Sequence, residues 1–229
     1  MQVINLRILE KADYRSKEAY KTLRTNIGFC GKDVKVIAFT SCTPNEGKST
    51  VSLHLAASLA EMGKKVIFID TDLRKSVLVG RYKAGKEIKG LSHYLSGQHP
   101  LEDVKYKTNI PMLDVVFAGP VPPNPAELLA DTMFDDLIKD LRREYDYVII
   151  DTPPLGSVID TAIISKVCDG IILLLAANTI SYKFAQEVVA QLKKTNCRIL
   201  GTVLNKVDMS MNSYYGKYYG KYYGNYGQE

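Results

Sequence analysis

No apolar run in this 229-residue chain is long enough to cross a bilayer. The longest, Ile171 to Ala177, falls far short of the roughly 18 residues that a spanning helix needs. The amino-terminal stretch MQVINLRILEKADYR lacks an apolar signal core followed by a cleavage site. A cytoplasmic protein is therefore expected, unless a partner holds it at a membrane. Cysteine is also sparse. Cys30, Cys42, Cys168 and Cys197 are far apart, form no metal-ligand spacing and read as reduced thiols. A large excess of either charge is lacking too: 30 basic against 25 acidic residues leave a net charge of +5. That balance fits a mixed, solvated surface better than a nucleic-acid or anionic-lipid surface. Apolar content is present in quantity, 46% of 229 residues. A chain of that size and content can bury one sizeable core, so one domain over residues 1–209 is expected.

The chain is organised around the stretch Thr40-Ser41-Cys42-Thr43-Pro44-Asn45-Glu46-Gly47-Lys48-Ser49-Thr50. An apolar run precedes it and a helical pattern from Val51 to Met62 follows. Strand, tight loop ending in Gly-Lys-Ser, then helix is the context of a phosphate-cradling P-loop. Backbone N–H groups and the helix N-terminus present partial positive charge to phosphate oxygens. Lys48 would reach the β- and γ-phosphates, and the Ser49 hydroxyl would coordinate Mg²⁺. The first glycine of the full pattern is missing; Cys42 stands there. A bare Gly-Lys-Ser is common, so the remaining sequence must decide.

Val66 to Ile69 reads as a buried strand that delivers Asp70 and Asp72 at its carboxyl end, with Arg74 just beyond. Ligands bind at that end of an open parallel sheet, and residues two apart share a strand face. A turn rich in Asp is the plainer reading of the same residues. Tyr147 to Ile150 is a further apolar strand ending in an acid, Asp151, at the Walker B position that holds Mg²⁺. Further strands are expected at Val34–Ser41, Val115–Ala118, Ile171–Ala176 and Ile199–Asn205. Helices are expected at 14–29, from Ala126, at 133–143, from Asp160 and at 182–194. The last strand closes on Asn205-Lys206-Val207-Asp208, similar to a guanine-recognition motif; in related ATPases the same strand end contacts adenine, often through Asn. Four residues cannot choose the base.

In the helix over 14–29, Tyr20, Leu23 and Ile27 share one face. Glu18, Lys21 and Arg24 recur every third residue, as a surface ion-pair row or as a subunit contact. After Met209 the composition changes to a Tyr-Tyr-Gly-Lys/Asn repeat. Seven of the chain's 15 tyrosines lie there: Tyr214, Tyr215, Tyr218, Tyr219, Tyr222, Tyr223 and Tyr226. Regular glycine and no aliphatic residue argue for a flexible tail over 210–229. Two lysines among the rings make a weak case for nucleic acid.

With these segments together, the chain resembles the bacterial tyrosine kinases (BY-kinases) of capsular and exopolysaccharide biosynthesis. The likeness rests on Glu46-Gly47-Lys48-Ser49-Thr50, Ile69-Asp70-Thr71-Asp72-Leu73-Arg74, Ile150-Asp151-Thr152-Pro153-Pro154, Pro123 to Leu129 and the tyrosine cluster. Members also commonly lack the first P-loop glycine. The resemblance implies an α/β P-loop NTPase fold, a mostly parallel sheet with helices on both faces. It implies ATP held by Glu46, Gly47, Lys48, Ser49, Thr50 and Asn205, and Mg²⁺ by Ser49, Asp72 and Asp151. Asp70 would be the base, with Lys48, Asp72 and Asp151 completing the catalytic set. The family's Glu-x-x-Arg-x-x-Arg oligomerisation motif appears as Glu18, Lys21 and Arg24, the central lysine keeping charge but losing the planar fork. A ring-shaped homo-oligomer is implied, phosphorylating tails between subunits, with a membrane-anchored polysaccharide co-polymerase as activator and a cognate tyrosine phosphatase. The chain would be recruited by that partner to the inner face of the membrane. Two other readings share the nucleotide motifs: a partitioning or septum-site ATPase that switches oligomeric state, and a nucleotide-gated scaffold. The ATPase reading would have no use for seven tail tyrosines.

Overall fold

A computed structural model describes residues 3–6, 13–81 and 88–208; the seven tail tyrosines lie outside the described residues. In chain order the elements are β1 (Val3–Ile4), α1 (Tyr14–Phe29), β2 (Val36–Ser41), α2 (Lys48–Glu61), β3 (Val66–Asp70), α3 (Leu78–Arg81), α4 (Leu91–Leu95) and α5 (Leu101–Val104). They continue with β4 (Lys105–Thr108), β5 (Leu113–Val116), α6 (Pro125–Ala130), α7 (Thr132–Glu144), β6 (Tyr147–Asp151), α8 (Asp160–Ile164), β7 (Gly170–Ala176), α9 (Tyr182–Lys193) and β8 (Ile199–Asn205). The strands form one sheet in the order β1-β4-β5-β3-β6-β2-β7-β8. Neighbours run parallel except β4 against β5.

The central strands are apolar throughout because both faces are covered. Alternation sorts them between two cores. Ile37, Phe39, Phe68, Ile149, Ile172 and Leu174 pack toward α1 and α2 through Ile27, Leu53, Ala56, Ala57 and Ala60. Ala38, Ile67, Ile69, Val148, Ile150 and Leu173 pack on the opposite face against Leu137, Leu141, Val188 and Leu192 of α7 and α9. Three helices start on side-chain caps, with Asp13, Asp131 and Ser181 accepting from the N–H groups of Ser16, Met133 and Phe184. The chain leaves α2 through Gly63, whose φ of 77° suits a glycine terminator.

This is the α/β P-loop NTPase architecture expected from the sequence. The differences are at ends and edges. Helix α2 begins at Lys48 rather than Val51, since the loop's last residues are already helical. Strand β5 covers Leu113–Val116 rather than Val115–Ala118. Two strands at one side of the sheet carried no pattern to read: edge strand β1 has two residues, and its neighbour β4 is mostly polar, Lys-Tyr-Lys-Thr.

Candidate active site

Three adjacent strands bring the chemistry together. Strand β2 leads into the P-loop, and its neighbour β6 ends at Asp151, level with Phe39 of β2. On the other side of β6, β3 ends at Asp70, in register with Asp151. Neighbouring strands lie about 4.8 Å apart, so the topology places two carboxylates side by side. Each is 1% exposed. Lys48, at the first position of α2, reaches across and its Nζ lies 2.8 Å from Asp151 Oδ1. The same amine is 3.5 Å from Ser49 Oγ.

Burial, with the Asp151 charge next to it, pushes the Asp70 carboxyl up to about 7. Burial pushes Asp151 up as well, opposed by the Lys48 ammonium. The second oxygen of Asp151, Oδ2, is buried and has no hydrogen-bond partner. A buried acceptor without a donor is costly, and here it belongs to the acid that Lys48, at the end of the P-loop, contacts. The donor set of Asp151 and the Ser49 hydroxyl is hard oxygen, which suits Mg²⁺. Among the described residues no group of three or more His, Cys, Asp or Glu side chains could hold a metal. An Mg²⁺ ion would thus depend on phosphate oxygens for part of its shell, as it commonly does.

Several expected residues have more specific positions than the sequence indicated. Strand β3 stops at Asp70, so Asp72 lies beyond the ladder rather than on the same strand face. Its Oδ1 accepts the N–H groups of Arg74 and Lys75 at 3.3 and 3.0 Å, folding the segment back. The Glu46 side chain is buried and turned inward. Its Oε1 accepts from Thr43 N–H at 2.5 Å and from the Thr43 hydroxyl at 2.9 Å, while Oε2 accepts from Ala176 N–H at 2.9 Å. Glu46 thus ties the loop to the end of β7, and a phosphate would meet only its backbone. Asn205 Nδ2 donates to the Glu46 carbonyl at 2.8 Å. Lys206 Nζ adds a bond to the Asn45 carbonyl at 2.6 Å, so the last strand braces the P-loop. Gly47 has φ 100°, and a Cβ there would stand 2.2 Å from Asn205 Nδ2, which leaves room only for glycine. Cys42 is fully buried, its thiol pushed up to about 11 by that burial, and it packs in the core beneath the loop. Thr50 Oγ1 accepts from Arg81 Nη1 at 2.6 Å.

Two connections had no signal in the sequence. The Ser76 hydroxyl donates to Asp70 Oδ2. Arg74 forks onto Asp160 at 2.8 and 2.9 Å, tying the segment after β3 to the start of α8. On α1, Lys21 pairs with Glu18 at 2.6 Å on the surface. Arg24 leaves that row: it donates to Ser58 O at 2.9 Å on α2.

A family model described as an AAA domain matches residues 34–207. The chain is 44% identical over 208 residues to the tyrosine-protein kinase CpsD of Streptococcus agalactiae, covering 89% of this chain and 91% of that protein. The kinase domain of Escherichia coli tyrosine kinase ETK superposes with a TM-score of 0.83 at 32% identity, covering 90% of this chain and 82% of that one. The septum site-determining protein MinD complexed with Mg-ADP, from Pyrococcus horikoshii OT3, superposes less closely, at a TM-score of 0.65 and 28% identity over 77% and 72% of the chains. A P-loop that ends in Lys48, two buried strand-end acids beside it and this degree of likeness over most of the length lead to one assignment: the chain belongs to the bacterial tyrosine-protein kinases, nucleotide-binding enzymes on a P-loop fold.

Proposed function

We propose that this kinase binds ATP with Mg²⁺ and phosphorylates the tyrosine cluster at 214–226 on a neighbouring copy of itself, in the service of capsular or exopolysaccharide synthesis and export. The supporting observation is the register of Asp70 with Asp151, which gives two buried acids different partners. Asp151 shares its charge with Lys48 and keeps one oxygen for a cation; Asp70 is left as the acid without an ammonium. A phenol, with a pKa of about 10, is a poor nucleophile at neutral pH without a positioned base. In this reading Asp70 receives the phenol proton as the tyrosine oxygen bonds to the γ-phosphorus. The bond from that phosphorus to the bridging oxygen breaks, and ADP leaves with the electron pair. Lys48 and the loop N–H groups hold the β- and γ-phosphates. Ser49, Asp151 and Asp72 would hold Mg²⁺, whose charge neutralises the phosphates. Asn205 and the end of β8 would flank the adenine, while Glu46, Gly47 and Thr50 shape the cradle.

Behaving as a random coil, a Gly-rich segment of 20 residues would span roughly 25 Å r.m.s., which would let the tail reach a neighbour's site. Each phosphate adds about −1.5 to −2 charges, so full modification would repel the tail from the acids and loosen a ring of subunits. Glu18 and Lys21 on the open face of α1, with Arg24 at its base, are the proposed ring contact. A membrane-anchored co-polymerase would recruit and activate the kinase at the membrane, and a cognate phosphatase would reset it. The test is incubation with Mg-ATP and the membrane partner, followed by phosphate mapping by mass spectrometry. Phosphotyrosine at 214–226 is expected. Release of free phosphate with an unmodified tail would instead favour the ATPase switch that the likeness to MinD keeps in view. Light scattering of Glu18→Ala/Lys21→Ala tests the ring, with a smaller particle expected.

A further inference from the structure

Arg81 is the last residue of α3, and its guanidinium reaches back to the start of α2. There its Nη1 donates to Thr50 Oγ1 at 2.6 Å. The backbone that carries Arg81 is held in place. Its N–H bonds to the Val77 carbonyl at 3.0 Å. Leu78, 1% exposed, sits in the same core as Val51 and Leu55 of α2. Ser76, just before α3, is tied to Asp70.

Electrostatics make this an unfavourable place for a cation. Thr50 is the third residue of α2, and the Val51 N–H is bonded to the Gly47 carbonyl at 2.9 Å. The N–H groups of Lys48, Ser49 and Thr50 precede that first intrahelical bond and present the positive end of the helix dipole. No acidic residue lies in the first turn of α2 to offset it. Lys48 is answered by Asp151. Arg81 is exposed and makes no ion pair among the described residues; its contact is with a neutral hydroxyl. A guanidinium at this position opposes the dipole and gains little from a hydroxyl that water could replace. An anion entering between the guanidinium and the open N–H groups reverses the balance. Lys48 and Thr50 are two positions apart, about 200° around the helix, so the two cations approach its start from different sides. Lys48 leans toward β6, whereas Arg81 stands over the backbone N–H groups, which in a P-loop cradle the α- and β-phosphates.

We propose that Arg81 is a second phosphate-binding cation of this site, holding the α- and β-phosphates of the nucleotide from the side away from Lys48, with the Thr50 hydroxyl aiming it. The assignment rests on the reading in which the P-loop holds ATP. ATP and ADP both carry these two phosphates, so the contact outlasts phosphoryl transfer and slows the departure of ADP.

The test is isothermal titration of the full chain with Mg-ATP and with Mg-ADP, beside urea unfolding without nucleotide. Arg81→Gln keeps a donor for Thr50 and removes the charge. It should raise the Kd for both nucleotides about tenfold and to a similar extent. The nucleotide-free urea midpoint should stay at the wild-type value or rise, since a cation facing the helix dipole is gone. Arg81→Lys keeps the charge but loses the fork, and should raise both Kd values about threefold. Unchanged Kd values in Arg81→Gln overturn the proposal. A loss confined to ATP overturns it too, because the guanidinium would then serve the γ-phosphate. So does a lowered nucleotide-free midpoint, which would make Arg81 a clamp of α3 on α2. Lys48→Met separates these failures from failure of the underlying reading. If Lys48→Met loses affinity while Arg81→Gln keeps it, only the arginine assignment falls; if the wild-type chain binds neither nucleotide, the reading of the site falls with it.

Discussion

The two ends of the sheet each carry buried or half-buried acids, and they treat them in opposite ways. At the end where the strands begin, Asp169 Oδ2 accepts the N–H groups of Lys35 and Val36 at 2.8 Å each. Arg142 Nη1 bonds to both Asp169 oxygens at 2.6 and 2.7 Å. Asp114 Oδ2 accepts the Tyr145 hydroxyl at 2.6 Å and Lys107 Nζ at 2.9 Å. Lys65 and Lys105 stand over the Tyr145 ring at 4.8 and 5.9 Å. Where the strands finish, Asp151 has one partner for two oxygens, and Asp70 is held near neutral pH by burial and a neighbouring acid. A satisfied polar network rigidifies a fold, whereas an under-satisfied one is a reserve of interaction energy for a ligand. On the proposed reading the first serves folding and the second would serve phosphate and metal, in keeping with ligand binding at the carboxyl ends of parallel strands.

The sharpest way to break this contrast is at Lys48. Lys48→Met lowers phosphoryl transfer by at least about 10³-fold, because a charge aligned on the transferring group is lost; radiolabel incorporation into the tail measures it. The single change also strands Asp151. In Lys48→Met/Asp151→Asn the stranded charge is removed, and thermal unfolding of the nucleotide-free protein should occur at or above the wild-type midpoint, by up to about 3 kcal/mol. A double variant clearly less stable than wild type would make the pair a structural clamp and erase the difference between the two ends.

The opposite end should give the opposite result. Asp169→Ala strands two backbone donors and Arg142, at a cost of about 2–3 kcal/mol in urea unfolding. The same variant should bind ATP with wild-type affinity and phosphorylate normally per folded molecule. Loss of catalysis without loss of stability would show that the two ends are coupled.

The sequence carried the part of this contrast that is written in local patterns. Gly47-Lys48-Ser49, followed in chain order by apolar runs closing on Asp70 and Asp151, identifies the P-loop, the strands and their carboxyl ends. The α1 span over 14–29 follows from Tyr20, Leu23 and Ile27 on one face. What could not be read depends on contacts distant in sequence. Glu46 reads as a ligand residue because it adjoins Gly47, yet its carboxylate is committed to Thr43 and to Ala176, 130 positions away. Arg24 falls in a charge row by spacing but turns to Ser58 because that flank of α1 packs on α2. Ser76 and Asp160 carry no motif; only the folded loop brings them to Asp70 and Arg74. The satisfied end of the sheet was invisible for the same reason, since Asp169 and Arg142 lie 27 residues apart with no signature joining them.

The smallest effect, and the one most diagnostic of a satisfied network, is expected at Tyr145. Burial, reinforced by its bond to Asp114, pushes the phenol well above its usual value. Above pH 10 the unfolded chain ionises this tyrosine while the folded chain keeps it protonated, so the unfolded state binds fewer protons. Stability contributed by Tyr145 is therefore complete below pH 10 and declines as the pH rises beyond it. Tyr145→Phe should cost about 1 kcal/mol at pH 7, where one buried hydrogen bond is lost. Between pH 10 and 11 the gap in urea midpoint between variant and wild type should close, because only the wild type loses by ionisation of the unfolded chain, at up to about 1.4 kcal/mol per pH unit. A gap that stays constant through pH 11 would mean that the folded protein ionises Tyr145 as readily as the unfolded chain. Asp114 would then belong with the under-satisfied acids at the other end of the sheet.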